Sequence, residues 1–154
     1  MKVYIAGFDV FAGDADVRRV RAIEACRARG LVPLHPLDNV AQTSRDIYEG
    51  NVGLICEADV VVANLNPFRG PCEPDAGTAF EVGFARALDK PVWAYADDVS
   101  SMRERMGATD ACGYNVEDFD LPMNLMLAES VTLVQGSFEG CLDELVRQTG
   151  VTQA

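Results

Sequence analysis

The sequence predicts an α/β fold: one domain over residues 1–154, built on an open sheet of about five mostly parallel strands with helices on both faces. Three observations carry that expectation. β-rich runs alternate with helix-like segments from one end of the chain to the other, the pattern of a sheet wound with helices. The run Asp59-Val60-Val61-Val62-Ala63-Asn64-Leu65 is nearly continuous apolar, as in a strand covered on both faces. No repeat, low-complexity tract or linker-like stretch interrupts the alternation.

Residues 2–6 form a short β-rich run that stops at Gly7. Residues 14–29 read as an amphipathic helix, with Val17, Val20, Ile23 and Ala28 set between arginines and Gly30 as the stop signal. A brief second strand follows at 31–34. Residues 44–58 read as a helix whose apolar side carries Ile47, Val52 and Ile55. The buried strand at 59–65 leads through a Pro- and Gly-rich loop into a helix at 74–88, where Phe80, Phe84 and Leu88 recur at i, i+4 and i+8. Residues 91–96 and 131–134 complete the strands, and a helix from about 137 to 148 follows them. This is a doubly wound pattern, Rossmann- or flavodoxin-like, in which ligands bind beyond the C-terminal strand ends. Function is therefore expected in the loops 7–14, 34–44, 65–77 and 97–124.

Twenty-four Asp and Glu against 13 Lys and Arg give a formal net charge of −11. Such a surface disfavours sequence-independent binding of DNA or RNA, which relies on cations neutralising phosphates, and it disfavours anionic membranes for the same reason. A hydrophobic content of 49% argues against disorder. The apolar run at the N-terminus is too short for a secretion signal, and no stretch approaches the ~20 apolar residues of a membrane span. A cytoplasmic protein is the expectation.

Cys26, Cys56, Cys72, Cys112 and Cys141 are odd in number and widely spaced, and they form no C-x-x-C pair. With a single His35, neither a zinc cage nor a disulfide framework is indicated, so no metal site is expected. Cys26, Cys56 and Cys141 fall in helix-like segments and read as small core residues, whereas Cys72 lies in a Pro-flanked loop open to exposure. A catalytic cysteine would want a histidine partner.

Three segments hold residues suited to chemistry. Gly7-Phe8-Asp9-Val10-Phe11 follows the first strand without forming a G-x-G-x-x-G fingerprint. Its aromatics suit either an apolar shelf for a flat ligand or a cap over the core. In the loop and helix from Asn64 to Gly83, Asp75 stands at a helix start, where the helix N-terminus alone would favour a carboxylate. Glu81 is harder to dismiss, because from Ala76 to Leu88 the charged residues are Glu81 and Arg86 alone. A carboxylate among small and apolar neighbours is costly unless paired, and its pKa tends to rise, which makes it a site candidate. A first-turn or Arg-paired glutamate is the competing explanation. Asp75 and Glu81 are six residues apart, so one helical face cannot present both; they converge only if Asp75 lies in the loop. The small Gly77, Thr78 and Ala79 would let a ligand approach the backbone. In the third segment, 116–127, Asn124 is a lone amide in an apolar run, suited to a cap or turn.

These segments together resemble the nucleoside 2-deoxyribosyltransferase family. The resemblance rests on Tyr4-Ile5-Ala6-Gly7 with Asp9-Val10-Phe11, Pro36-Leu37-Asp38-Asn39, Ala58-Asp59 and its valines, Pro67-Phe68-Arg69-Gly70, Glu73 through Gly83, and Val116-Glu117 leading to Leu121-Pro122-Met123-Asn124-Leu125-Met126-Leu127. It covers nearly the whole chain, with the motifs in order. The resemblance implies an enzyme that passes a 2-deoxyribosyl group between nucleobases through a covalent glutamate ester, with retained configuration and without metal or organic cofactor. It implies Glu81 as nucleophile, Tyr4 as the hydroxyl that orients it, and Asp75 as a substrate-binding residue that either holds sugar hydroxyls or protonates the base. It further implies substrate contacts from Gly7, Asp9, Phe11, Asn51, Phe68, Arg69, Gly77, Asn124 and Met126. Asn124 would be offered to a neighbouring subunit's site in a homo-oligomer.

Some residues depart from the family pattern. Asn51 stands where some relatives carry a carboxylic acid that serves the base, and an amide cannot donate a proton as an acid does. Phe8 replaces a common proline, and Pro71-Cys72 lies in a variable part of its loop. The ligands implied are a 2′-deoxynucleoside and a free nucleobase. One alternative is an N-glycosidase that hydrolyses a nucleoside or nucleoside 5′-monophosphate; Asp9 in the first loop speaks against a phosphate there. Another is a non-catalytic nucleotide-binding module on the same fold.

Overall fold

The computed structural model describes residues 1–39 and 43–150. Residues 40–42 of the expected 34–44 loop and residues 151–154 of the expected domain lie outside the described residues.

Five strands form one parallel sheet: β1 (Lys2–Ala6), β2 (Val32–Leu34), β3 (Val60–Asn64), β4 (Val92–Ala96) and β5 (Thr132–Gln135). Their order is β2-β1-β3-β4-β5. The expected α/β sheet is thus found, with every pairing parallel. β3 is central and buried at every position, which explains its unbroken apolar sequence. Alternate β3 residues feed two cores. Val61 and Ala63 pack with Tyr4, Ile55, Val82 and Ala85 on one face. Val60 and Val62 pack with Val3, Cys26, Trp93, Leu142 and Leu145 on the other. β2 is an edge strand, and Pro33 lies opposite Val3 in its register, a position a proline tolerates because no second neighbour needs its missing N–H.

The helices are α1 (Ala15–Arg27), α2 (Ser44–Glu57), α3 (Ala76–Ala87), α4 (Met102–Met106), α5 (Leu125–Ala128) and α6 (Phe138–Thr149). Side chains cap most of their starts: Thr43 accepts from the Asp46 N–H, Asp75 from Thr78, and Ser137 from Gly140. α3 begins at Ala76 rather than Pro74. Asp75 is extended (φ −61°, ψ 131°) and caps the helix from outside it.

Several faces differ from expectation. α1 buries Cys26, while Val17 and Val20 are about half exposed. With Arg18, Arg19, Arg21 and Arg27 spread around it, its apolar side is narrow. The Phe80–Phe84–Leu88 row is not the buried side of α3. Thr78, Val82 and Ala85 are buried, and Phe80 and Leu88 are exposed. Of the α2 row, Ile55 is buried and Ile47 is exposed. Cys56 and Cys72 exchange their expected roles. Cys56 is exposed, and the proline-flanked Cys72 is buried beneath its loop. Cys26 and Cys141 are buried, and desolvation pushes both thiols up to about 12.

Candidate active site

The chain leaves β1 for β2 in one direction and reaches β3 on the other side of β1, so a crevice opens at the C-terminal ends of β1 and β3. A cavity of about 370 Å³ lies there. Gly7, Val10 and Phe11 reach it from the 3₁₀ turn after β1, Pro36, Leu37 and Asn39 from the segment after β2, and Ile47 and Asn51 from α2. Asp75, Gly77, Thr78 and Glu81 reach it from the start of α3.

Glu81 is the chemical centre of this cavity. The Tyr4 hydroxyl donates to Glu81 Oε1 at 2.5 Å. Tyr4 is fully buried in the sheet, so the core fixes where that hydroxyl points. Asn51 Nδ2 also approaches Oε1, at 3.5 Å. Desolvation pushes Glu81 up to about 7, the Asp75 charge adds to the rise, and the hydrogen bonds from Tyr4 and Asn51 oppose it. Burial, together with the same glutamate, raises Tyr4 far above its ordinary value, so it stays a donor. Asn51 Oδ1 is buried with no hydrogen-bond partner among the described residues, a costly state that a donor in the cavity would relieve.

Asp75 shares the cavity because it lies outside the helix, as the angular argument required. Its Oδ2 accepts from the Thr78 N–H at 2.9 Å and from the Thr78 hydroxyl at 3.1 Å. Its Oδ1 has no partner among the described residues. A Cβ at Gly77 would stand 3.0 Å from Asp75 Oδ2, so glycine leaves the cap its space. At Gly7 a Cβ would meet Asn64 Cβ at 2.9 Å; the requirement there is close approach of β1 to β3.

The other expected site residues divide. Phe11 lines the cavity, but the aromatics are not a free shelf. Phe68 stacks on Phe8 at 4.8 Å and on Phe11 at 5.6 Å between ring centroids. The Arg69 guanidinium lies over Phe68 at 4.6 Å. Arg69 holds a left-handed backbone (φ 59°), so this clamp stores local strain. Asp9 does not line this cavity. Its carboxylate takes Arg18 Nη1 on one oxygen and Asn64 Nδ2 on the other, both at 2.8 Å. Arg18 and Asn64 thus hold Asp9 in its turn, and Asp75 and Glu81 are the acids that line this cavity. Asn124 and Met126 border a different cavity, beside Pro74, Ala79 and Gly83. Asn124 caps α5 through the Met126 N–H and donates to Glu117 Oε1 at 2.6 Å.

Sequence reasoning passed over Asn64, and it took Thr78 only as a small residue that lets a ligand approach the backbone. A lone amide closing an apolar strand was the available signal for Asn64. Thr78 is a buried hydroxyl whose role appears only once Asp75 is seen to cap.

Residues 3–126 match the family model described as nucleoside 2-deoxyribosyltransferase. A 2-deoxyribosyltransferase structure from Leishmania mexicana superposes with a TM-score of 0.87 at 38% identity, over 95% of this chain and 97% of that one. A protein of Thermofilum pendens that carries the name of a 2′-deoxynucleoside 5′-phosphate N-hydrolase is 30% identical over 93% of this chain and 99% of its own. The 2-deoxyribosyltransferase of Bacillus psychrosaccharolyticus, 18% identical over 88% of this chain and 87% of that one with a TM-score of 0.60, shares the fold.

Proposed function

The chain belongs to the nucleoside 2-deoxyribosyltransferase family, and from that premise we propose that it transfers the 2-deoxyribosyl group between nucleobases by double displacement on Glu81. The observation that carries this reading is the Tyr4–Glu81 hydrogen bond at 2.5 Å in a cavity that Asp75 also enters. Glu81 attacks C1′, the C1′–N bond breaks with its electron pair going to the base, and a glutamyl deoxyribosyl ester forms. A second base attacks C1′ from the vacated face and expels the carboxylate, so two inversions retain configuration. Tyr4 holds Oε1, leaving Oε2 to attack. Asp75, with Oδ1 uncommitted, manages the proton of the departing base, because Asn51 is an amide and cannot. Asn51 Oδ1 accepts from the base.

The ligands are accordingly a 2′-deoxynucleoside and a free nucleobase. Asn124 and the exposed Met126 lie away from the Glu81 cavity, which supports a homo-oligomer in which they serve a neighbouring copy. Phe68 and Arg69 close the site through Phe11 rather than by direct contact.

Incubation with deoxyinosine and free adenine should yield deoxyadenosine, and intact-mass analysis should detect a deoxyribosyl adduct that Glu81→Ala lacks. Correctly folded protein that gives neither product nor adduct would overturn the reading. The Thermofilum pendens relative favours a second reading, hydrolysis of a nucleoside 5′-monophosphate. Among the described residues no Lys or Arg lines the cavity, and two carboxylates do, which disfavours a phosphate dianion. Base release at the same rate with and without an acceptor base would favour hydrolysis.

A further inference from the structure

A second cavity, of about 250 Å³, opens at the strand ends between α1 and α6, across the sheet from the α2–α3 side that holds Glu81. Arg18, Arg21, His35, Tyr95, Asp9 and Glu139 border it. His35 is 4% exposed. Its Nδ1 accepts from the Leu37 N–H, so in the neutral ring the proton is on Nε2. Desolvation lowers the His35 pKa and keeps the ring neutral. Nε2–H has no acceptor among the described residues, and the Tyr95 hydroxyl and the Arg21 guanidinium make no hydrogen bond or ion pair there. Two helical amides at the start of α6, those of Phe138 and Glu139, also lack acceptors among the described residues. His35 Nε2–H, the Tyr95 hydroxyl and the Arg21 guanidinium thus border one space as donors open to an acceptor from outside the chain.

We propose that this cavity binds a small oxyanion, a carboxylate or a phosphate, through Arg21, Arg18, His35 Nε2–H and the Tyr95 hydroxyl. Guanidinium groups match such oxyanions in shape as well as charge. The cavity is smaller than the usual range for drug-sized ligands, so it suits an acid of few atoms and not a nucleotide. Asp9 and Glu139 oppose the anion and limit its affinity. Occupancy would also draw Arg18 from Asp9. Because Asp9 is bonded to Asn64 at the end of β3 and sits in the turn that carries Val10 and Phe11 to the Glu81 cavity, the bound anion would act on substrate affinity from across the sheet.

The test is titration of the intact protein with inorganic phosphate and, separately, with glycolate, followed in ¹H–¹⁵N spectra against sodium chloride at equal ionic strength. Saturable shifts centred on Ala22, Phe138 and Glu139, with a Kd of about 1 mM or tighter for at least one probe, are expected; which probe saturates identifies the acid. Arg21→Ala should weaken binding at least tenfold, Glu139→Gln should tighten it, and Glu81→Ala should leave it unchanged. Shifts that do not saturate, that survive Arg21→Ala, or that centre on Gly77 and Thr78 would overturn the proposal. The measurement needs no turnover, so it stands or falls apart from the transferase reading.

Discussion

Glu81, the nucleophile of the proposed reaction, also costs the folded state stability when it ionises. Its pKa of about 7 lies above the ordinary glutamate value, so between about pH 4.5 and 7 the folded state holds more protons than the unfolded chain. Stability therefore falls as pH rises through that window, and above it the penalty, at most roughly 3 kcal/mol, is complete. Glu81→Gln keeps an acceptor for Tyr4 and removes the charge. It should abolish the glycosyl adduct and raise Tm relative to the parent, more at pH 8 than at pH 5, as differential scanning calorimetry would show. In the proposed reaction ionised Glu81 attacks, so release of base in the first half-reaction should rise with pH and level off above about 7. Tyr4 lowers the glutamate pKa through its hydrogen bond. Tyr4→Phe should shift the rising limb to higher pH and slow that half-reaction about 10- to 100-fold, the worth of one hydrogen bond to a charge. Glu81 was legible in the sequence because an acid without polar neighbours on a helix needs an explanation. The direction of Asp9 was not legible, since adjacency to Gly7 in the chain says nothing about which side of the turn a side chain takes, and Arg18 and Asn64 decide that.

At the scale of elements, α3 starts with a residue that has two duties. Asp75 closes the helix N-terminus with one oxygen and enters the cavity beside Glu81 with its carboxylate. Asp75→Ala should cost about 1 kcal/mol of stability through the lost cap as well as activity. Asp75→Asn keeps a side-chain acceptor, so it should hold stability within a few tenths of that scale while still impairing transfer. Urea denaturation of the two variants, set beside their exchange rates, separates the duties. Element positions were readable because capping residues, glycines and the valine run mark them. Element faces were less so. Val17, Val20, Phe80 and Leu88 repeat at helical spacing, yet all are exposed. Periodicity reports an apolar side, and it cannot tell a side that meets the sheet from one left largely open, as Phe80 is where it packs on Tyr48 and Phe84. The inner side of α3 is made of Thr78, Val82 and Ala85, residues small enough to sit close to β3 and too modest to stand out in a pattern of large side chains.

For the molecule as a whole, a formal charge of −11 repels itself across a small surface, and the ion pairs formed by α1 and α6 are largely exposed, such as Arg18 with Asp14 and Arg147 with Glu144. Exposed pairs contribute little, so net repulsion should dominate the salt response. Raising sodium chloride from about 10 to about 150 mM shortens the screening length severalfold and should raise Tm. Trp93, 6% exposed in the core on the α1–α6 face, supplies the fluorescence to follow it. The fold class was legible at this scale because a parallel sheet covered on both faces leaves few alternatives. The shape of the ligand space was not, because each wall comes from a different stretch of chain. The strand order also bears on how the protein is made. A ribosome releases β1 before β2 and β3, and β2 can join one side of it early. Its other side stays open until residues 60–64 have been synthesised. Through that interval the nascent chain carries an unpaired strand edge, available to any neighbouring chain that can supply a partner.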